Sequence, residues 1–243
     1  MQPLASHGLT LIAVLLALVL SAASPVLQRY SFNIGSDYGN SQSFPFSVKE
    51  AGCILAQIKS WEPAETNTAA AEELALTLAD ADNPGYYARN DGGFSSLLPL
   101  WTSYAVSASE VTEVKVWEVS VSNYTKSGGT AKGMIILEMP PTQIPCELKA
   151  AIPRSKKGQI DLSWRYTGKR FNGSFLVERL IDGTSQWEVV SACTKRTTST
   201  DYSCSDTGLT RGDRYYYRAC AVTSTSSECG RTNLTPPVSV RAP

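Results

Sequence analysis

Short stretches in which every second side chain is apolar recur along this chain, and that period belongs to strands rather than helices. Gln42–Val48 places Phe44, Phe46 and Val48 on one face, and Pro45, which cannot donate to a ladder, puts the strand at a sheet edge. Cys53–Trp61 predicts a second strand, and Glu73–Ala79 a third with Leu74, Leu76 and Leu78 facing together. Leu97–Val106, Val114–Val121 and Met134–Met139 complete the set. Within Val114–Val121, Trp117, Val119 and Val121 share a face with Lys115. Asp82-Asn-Pro-Gly85 and Asp91-Gly-Gly93 read as turns flanking Tyr86 and Tyr87, and Lys126–Thr130 as a hairpin connection. Ser24 to about Asn40 shows no sustained period and reads as a lead-in. Strands at this spacing, with no long helical period, predict an antiparallel sandwich.

Pro140-Pro-Thr-Gln-Ile-Pro145 resists regular structure and reads as a linker over 140–146. Beyond it, Gln159–Tyr166 turns Leu162 and Trp164 to one side, and Ser174–Leu180 alternates Phe175, Val177 and Arg179. Trp187–Val190 fits an edge strand, Tyr202–Leu209 leads into a corner, and Cys229–Thr235 reads as the final strand. After the corner, Tyr215, Tyr217, Ala219 and Ala221 share one side of a long strand. A leucine, a turn glycine and then a tyrosine entering a strand is the arrangement of a tyrosine corner, here Leu209, Gly212 and Tyr215.

Taken together, these pieces resemble a fibronectin type III domain over about residues 147–243, which implies an immunoglobulin-like sandwich and no particular activity. Residues 24–139 carry the pattern FSV…GCILAQIKSW…LALTL…GYYARNDG…VWEVSVSNY. This is similar to jelly-roll, CUB-like or pre-peptidase-type sandwich modules of secreted bacterial proteins, which are non-catalytic. The expected fold is all-β, two sandwiches following a leader.

That leader is residues 1–23: an apolar run from Leu9 to Leu20, then Ser21-Ala-Ala23, which predicts cleavage before Ser24. The run is shorter than the roughly 20 residues needed to span a bilayer, so no membrane span is expected after cleavage and the protein is expected to be secreted. His7, the sole histidine, lies in this segment. The mature chain then has no imidazole, which excludes histidine-based serine or cysteine hydrolases and imidazole-ligated zinc. Six cysteines remain, and an exported chain is expected to oxidise them. Nearness favours Cys193 with Cys204 and Cys220 with Cys229, leaving Cys53 with Cys146, although sequence alone cannot choose among the pairings. In the fibronectin-like part, the bridge at Cys220 and Cys229 would staple the last hairpin. The chain is neutral as a whole, yet residues 24–146 hold 7 basic and 13 acidic side chains, a net −6, while residues 147–243 hold 15 and 9, a net +6. The basic half could meet the acidic half or approach an anionic surface.

Candidate chemistry is sparse. Tyr86, Tyr87 and Trp101 are the candidate binding residues, with the Gly85–Gly93 segment as the surface. Trp61 and Trp117 are expected to fill the core. Asp80, Asp82, Asn83 and Asp91 match no calcium-loop spacing, so no metal or other cofactor is expected. Arg211-Gly-Asp213 spells the integrin tripeptide, but the corner wants that glycine for its turn. Asn123, Asn172 and Asn233 open glycosylation sequons. No nucleic-acid recognition motif is present. The expected function is a non-catalytic extracellular binding or adhesion protein whose partner is a protein or a polysaccharide. Alternatives are an accessory carbohydrate-binding protein and a carboxylate glycosidase, the latter needing two acids facing across a cleft.

Overall fold

The computed structural model describes residues 25–35, 39–63, 74–81, 83–90, 100–113, 115–124, 130–142, 144–223, 229–230 and 234–243, with backbone course alone at 59–63 and 83–90. The described strands gather around two separate hydrophobic cores. The leader and residues 126–129 of the 126–130 connection lie outside the described residues.

The first core is enclosed by β1 (Val26–Ile34), β2 (Asn40–Ser47), β3 (Gly52–Pro63), β4 (Leu74–Asp80), β5 (Asn83–Asn90), β6 (Leu100–Val106), β7 (Val116–Asn123) and β8 (Ala131–Met139). They form two antiparallel sheets, ordered β1-β8-β3-β6 and β2-β7-β4-β5. The first strand pairs with the eighth, the second with the seventh, the third with the sixth and the fourth with the fifth. This is one long hairpin rolled into two facing sheets, the order of a jelly roll. Alternation fixes which side chains meet: Phe46 from β2, Leu74, Leu76 and Leu78 from β4, and Trp117, Val119 and Val121 from β7 are all buried. Opposite them lie Ile54 and Ile58 of β3 and Ile135 and Leu137 of β8. β2 with Pro45 sits at a sheet edge, as expected.

Two sequence expectations fail in this half. The lead-in contains β1, because Tyr30, Phe32 and Ile34 alternate onto the core while the intervening residues face solvent. An edge strand needs only one such face. Asn83–Asn90, read from sequence as turn and loop, runs back instead as β5 against β4, with Asn83 opposite Asp80. A short helix, α1 (Ala108–Thr112), follows β6, opened by a capping box in which Ser107 and Glu110 satisfy each other's backbone N–H groups.

The second core lies between a three-stranded sheet, β9 (Cys146–Ala151), β10 (Gln159–Arg165) and β14 (Asp201–Thr207), and a sheet built on β11 (Gly173–Ile181) and β15 (Arg214–Thr223). β12 (Glu188–Val189) and β13 (Lys195–Arg196) pair with β11, and β16 (Val238–Arg241) with β15. The orders β14-β10-β9 and β12-β11-β15-β16 give the fibronectin type III-like sandwich that the sequence resembles. Trp164, Phe175 and Tyr217 are wholly enclosed. The corner forms as expected, with the Thr210 amide donating to the Tyr215 hydroxyl at 3.0 Å. The final strand does not lie at Cys229–Thr235. Leu234 makes only an isolated bridge to Cys220, and the strand begins after Pro236-Pro237, where Val238 and Val240 pack on the core.

The three disulfides are the pairs that nearness favours: Cys53–Cys146, Cys193–Cys204 and Cys220–Cys229. Cys220–Cys229 ties β15 to the segment after it, not to the last strand, because that strand lies further on. Cys53–Cys146 joins β3 of one sandwich to the first residue of β9 in the other. Glu147 reinforces this junction: its amide donates to Ser103 Oγ at 3.0 Å, and its carboxylate accepts from the Ala105 amide at 2.9 Å. The edge of β6 is thereby covered. Lys169 Nζ reaches Glu50 Oε2 at 2.9 Å across the same boundary.

Candidate functional site

The outer face of the sheet β1-β8-β3-β6 carries exposed aliphatic side chains beside charged ones. Because even-numbered residues of β1, β3 and β6 and odd-numbered residues of β8 turn into the core, the opposite set faces outward. The register lines these up in rows across the four strands, Arg29–Ile136–Gln57–Trp101 and Leu27–Glu138–Leu55–Ser103, with Ser31 opposite Met134 alongside. Four strands at about 4.8 Å spacing make each row roughly 14 Å long. Leu27 is 47% exposed and Met134 40%, whereas Leu55 at 2%, Gln57 at 8% and Ser103 at 8% are shut off from solvent, Ser103 Oγ accepting from the Glu147 amide at the junction. A half-buried indole and exposed aliphatic groups thus share this face with the Arg29 guanidinium and the Glu138 carboxylate. Such a face can stack against a ring and hydrogen-bond its rim.

Trp101, one of the three sequence candidates, sits half-buried at one end of this face. Tyr86 and Tyr87 lie on β5, the edge strand of the other sheet, which runs next to β6 along the same flank. Their side chains fall outside the described residues, as do that of Trp61 and the loop from Asp91 to Gly93. The register shows one thing about the backbone: Ala79 pairs with Tyr86 and Leu78 with Ala88, so Tyr87 is an extra residue in the ladder.

Other candidates resolve into structural roles. Asp80 is buried with Lys115 Nζ at 3.7 Å, while Asp82 and Asp91 lie outside the described residues. Gly212 of the Arg-Gly-Asp turn has φ +87°, and its amide donates to Ala242 O, so backbone geometry demands the glycine. Asn123 is buried, and its Nδ2 donates to Gly35 O at 3.2 Å, which leaves no room for a glycan.

In the second sandwich, sequence reasoning placed Arg179 on the core face without seeing its consequence, since a charge there requires partners. Its Nη1 donates to both oxygens of buried Asp206 at 3.1 Å, and its Nη2 to Glu188 at 3.1 Å. Burial disfavours the guanidinium charge, but the two carboxylates outweigh it and hold the Arg179 pKa above its ordinary value. Tyr217 donates its hydroxyl to Asp206 as well, at 2.9 Å. On the outer face of the same sheet, Glu178 takes hydrogen bonds from Arg218 and from the Cys229 amide, and Arg218 stacks 4.1 Å from the centre of the Trp187 ring. Two shallow troughs of about 340 Å³ each lie on the outer face of β14-β10-β9 and share Ser163 and Ser203. Asp161 in one of them accepts from Ser205 and Gln159, which together hold its carboxyl below the usual range.

No family model matches the sequence, and no curated protein does. Among solved structures, the chain is similar to one described as a myokine structure, at 15% identity and a TM-score of 0.32, over 42% of this chain and 98% of that one. It is also similar to the chicken CNTN1 FN1–FN3 domains, at 10% identity and a TM-score of 0.31, over 70% of this chain and 53% of that one. A third similarity, at 14% identity and a TM-score of 0.26, is to β-1,2-glucanase from Parabacteroides distasonis, with 90% of this chain covering 36% of that one.

Proposed function

We propose that the protein is a secreted, non-catalytic binding or adhesion protein made of two sandwich modules, 24–139 and 147–243, joined through 140–146. The observation that carries this is the outer face on which exposed Arg29, Leu27 and Met134 stand with half-buried Ile136 and Trp101. Contiguous apolar surface rimmed by polar groups marks a contact site. Three disulfides suit an oxidising compartment. The buried carboxylates Asp206 and Glu178 are committed to arginines, which favours a structural over an acid–base role.

The second reading, an accessory carbohydrate-binding protein, is favoured by the half-buried indole of Trp101 on this face, since an aromatic ring offers a sugar a stacking platform. The test is the full oxidised chain on a glycan array and an extracellular-matrix protein array. A specific signal that falls about tenfold with Trp101→Ala, equivalent to ~1.4 kcal/mol, at unchanged melting temperature supports the face. The class of array that lights up chooses between the two readings. A signal indifferent to Trp101→Ala rejects this face, and an array blank throughout rejects the binding function.

A further inference from the structure

We infer that the end of the second sandwich farthest from the junction is a docking site for an anionic polysaccharide. β9 runs from Cys146 at the junction to Ala151, and β10 returns from Gln159, so the loop between them lies at the distal pole. Arg154, Lys156 and Lys157 are exposed on that loop. The Gly158 amide donates to Pro243 O, and Gly158 O accepts from Leu209 N, which brings the loop against the tyrosine corner and the end of β16. Arg211 is exposed in the corner turn, and Arg214 stands directly across the ladder from Arg241 on its outward face. Like charges opposite one another weaken a ladder. Their placement here serves something other than the strand pair.

None of these six cations makes an ion pair among the described residues. Elsewhere the sandwich does pair its charges, Arg179 with Asp206 and Arg218 with Glu178. Lys156 helps hold the Asp161 carboxyl low, after the Ser205 and Gln159 hydrogen bonds, but forms no bridge to it. Only Asp182 and Asp213 are exposed acids on the described part of the pole. Gly158 preserves the arrangement, since at φ +63° a Cβ would lie 2.7 Å from Leu209 O. Guanidinium forks match sulfate and carboxylate oxygens in pairs. The one aromatic on the outward face here, Tyr216, is half-buried with its hydroxyl turned to Asp182, and Ile152 is the described pole's lone exposed large aliphatic, which suits an extended hydrated polymer over nucleic acid or a bilayer.

This rests on the binding-module proposal but uses a different surface. The probe is heparin, a sulfated polysaccharide, presented to the full chain with its bridges intact at about 0.15 M salt. Retention is expected, and Arg241→Glu with Lys157→Glu should weaken it about tenfold or more. The glutamate would face Arg214 across the ladder, so the fold is expected to persist. Lys49→Glu with Lys132→Glu, an equal charge change at exposed positions of the first sandwich, should leave retention nearly intact. If the first pair fails to fold, Arg154→Gln with Lys156→Gln carries the same expectation. No retention, equal loss from both charge-reversed pairs, or tighter binding to phosphatidylserine vesicles or duplex DNA overturns the assignment. Failure here with array binding still lost in Trp101→Ala removes the pole and leaves the first proposal standing.

Discussion

Tyr217 is wholly buried, yet it keeps a hydroxyl in the core because Asp206 needs donors: the carboxylate that neutralises Arg179 has lone pairs that nothing apolar could satisfy. Burial first, and then the neighbouring Asp206 charge, push the Tyr217 phenol up. Tyr166, which donates to Lys169 O at 2.7 Å, is pushed up to about 12 by burial and then by Tyr202 beside it. An unfolded phenol ionises near pH 10. These folded values are raised, so the stability the two residues contribute is fully present below about pH 10 and drains away as pH rises through the folded values. Alkaline titration should therefore show a fraction of the phenols ionising only together with loss of the near-ultraviolet circular dichroism. In Tyr166→Phe, stability should fall less steeply between about pH 10 and 12. If all phenolate absorbance develops while the dichroism is still native, the enclosure of these rings is refuted.

At the scale of elements, the bridges differ in what they close. Cys53–Cys146 spans 93 residues and couples β3 to β9, while Cys193–Cys204 spans 11 within one sandwich. In the chain-entropy account the longer closure stabilises by on the order of 4–5 kcal/mol and the shorter by about 3. Calorimetry should find Cys53→Ala with Cys146→Ala more destabilised than Cys193→Ala with Cys204→Ala, and the reverse order would contradict that account. The strands themselves were largely legible. β2, β4 and β7 declare one apolar face in strict alternation, and Pro45 marks its own edge. β1 escaped because its exposed half, Val26 to Arg29, masks the alternation of Tyr30, Phe32 and Ile34. β5 escaped because Asn83-Pro-Gly85 spells a turn, yet Asn83 already pairs with Asp80 of β4, and Pro84 and Gly85 fall within a register shift. The rolled order was not legible in detail, since β1 meets β8 and no local pattern encodes a partner a hundred residues away. For the same reason Trp101 could be singled out while its row could not. Gln57, Ile136 and Arg29 join it only through register.

For the whole molecule, the decisive feature is that the proline-containing segment does not hang free. Cys146 is both the end of that segment and the start of β9, and it is buried with Cys53 and Ala105. Glu147 adds two hydrogen bonds to β6, and Lys169 adds an ion pair to Glu50. An exposed ion pair alone would contribute about 0–1 kcal/mol; the covalent bridge removes the hinge outright. With one sandwich held against the other, the acidic half and the basic pole keep opposite ends of the molecule, and the −6 half cannot fold over to neutralise the distal arginines. Backbone ¹⁵N relaxation of the full chain should accordingly yield one rotational correlation time for amides of both sandwiches. Cys53→Ser with Cys146→Ser should split it into two, with heparin retention falling as the freed acidic half competes for the pole. Two correlation times in the oxidised wild-type chain would show that the junction bends despite its bridge, and the fixed separation of charge would go with it.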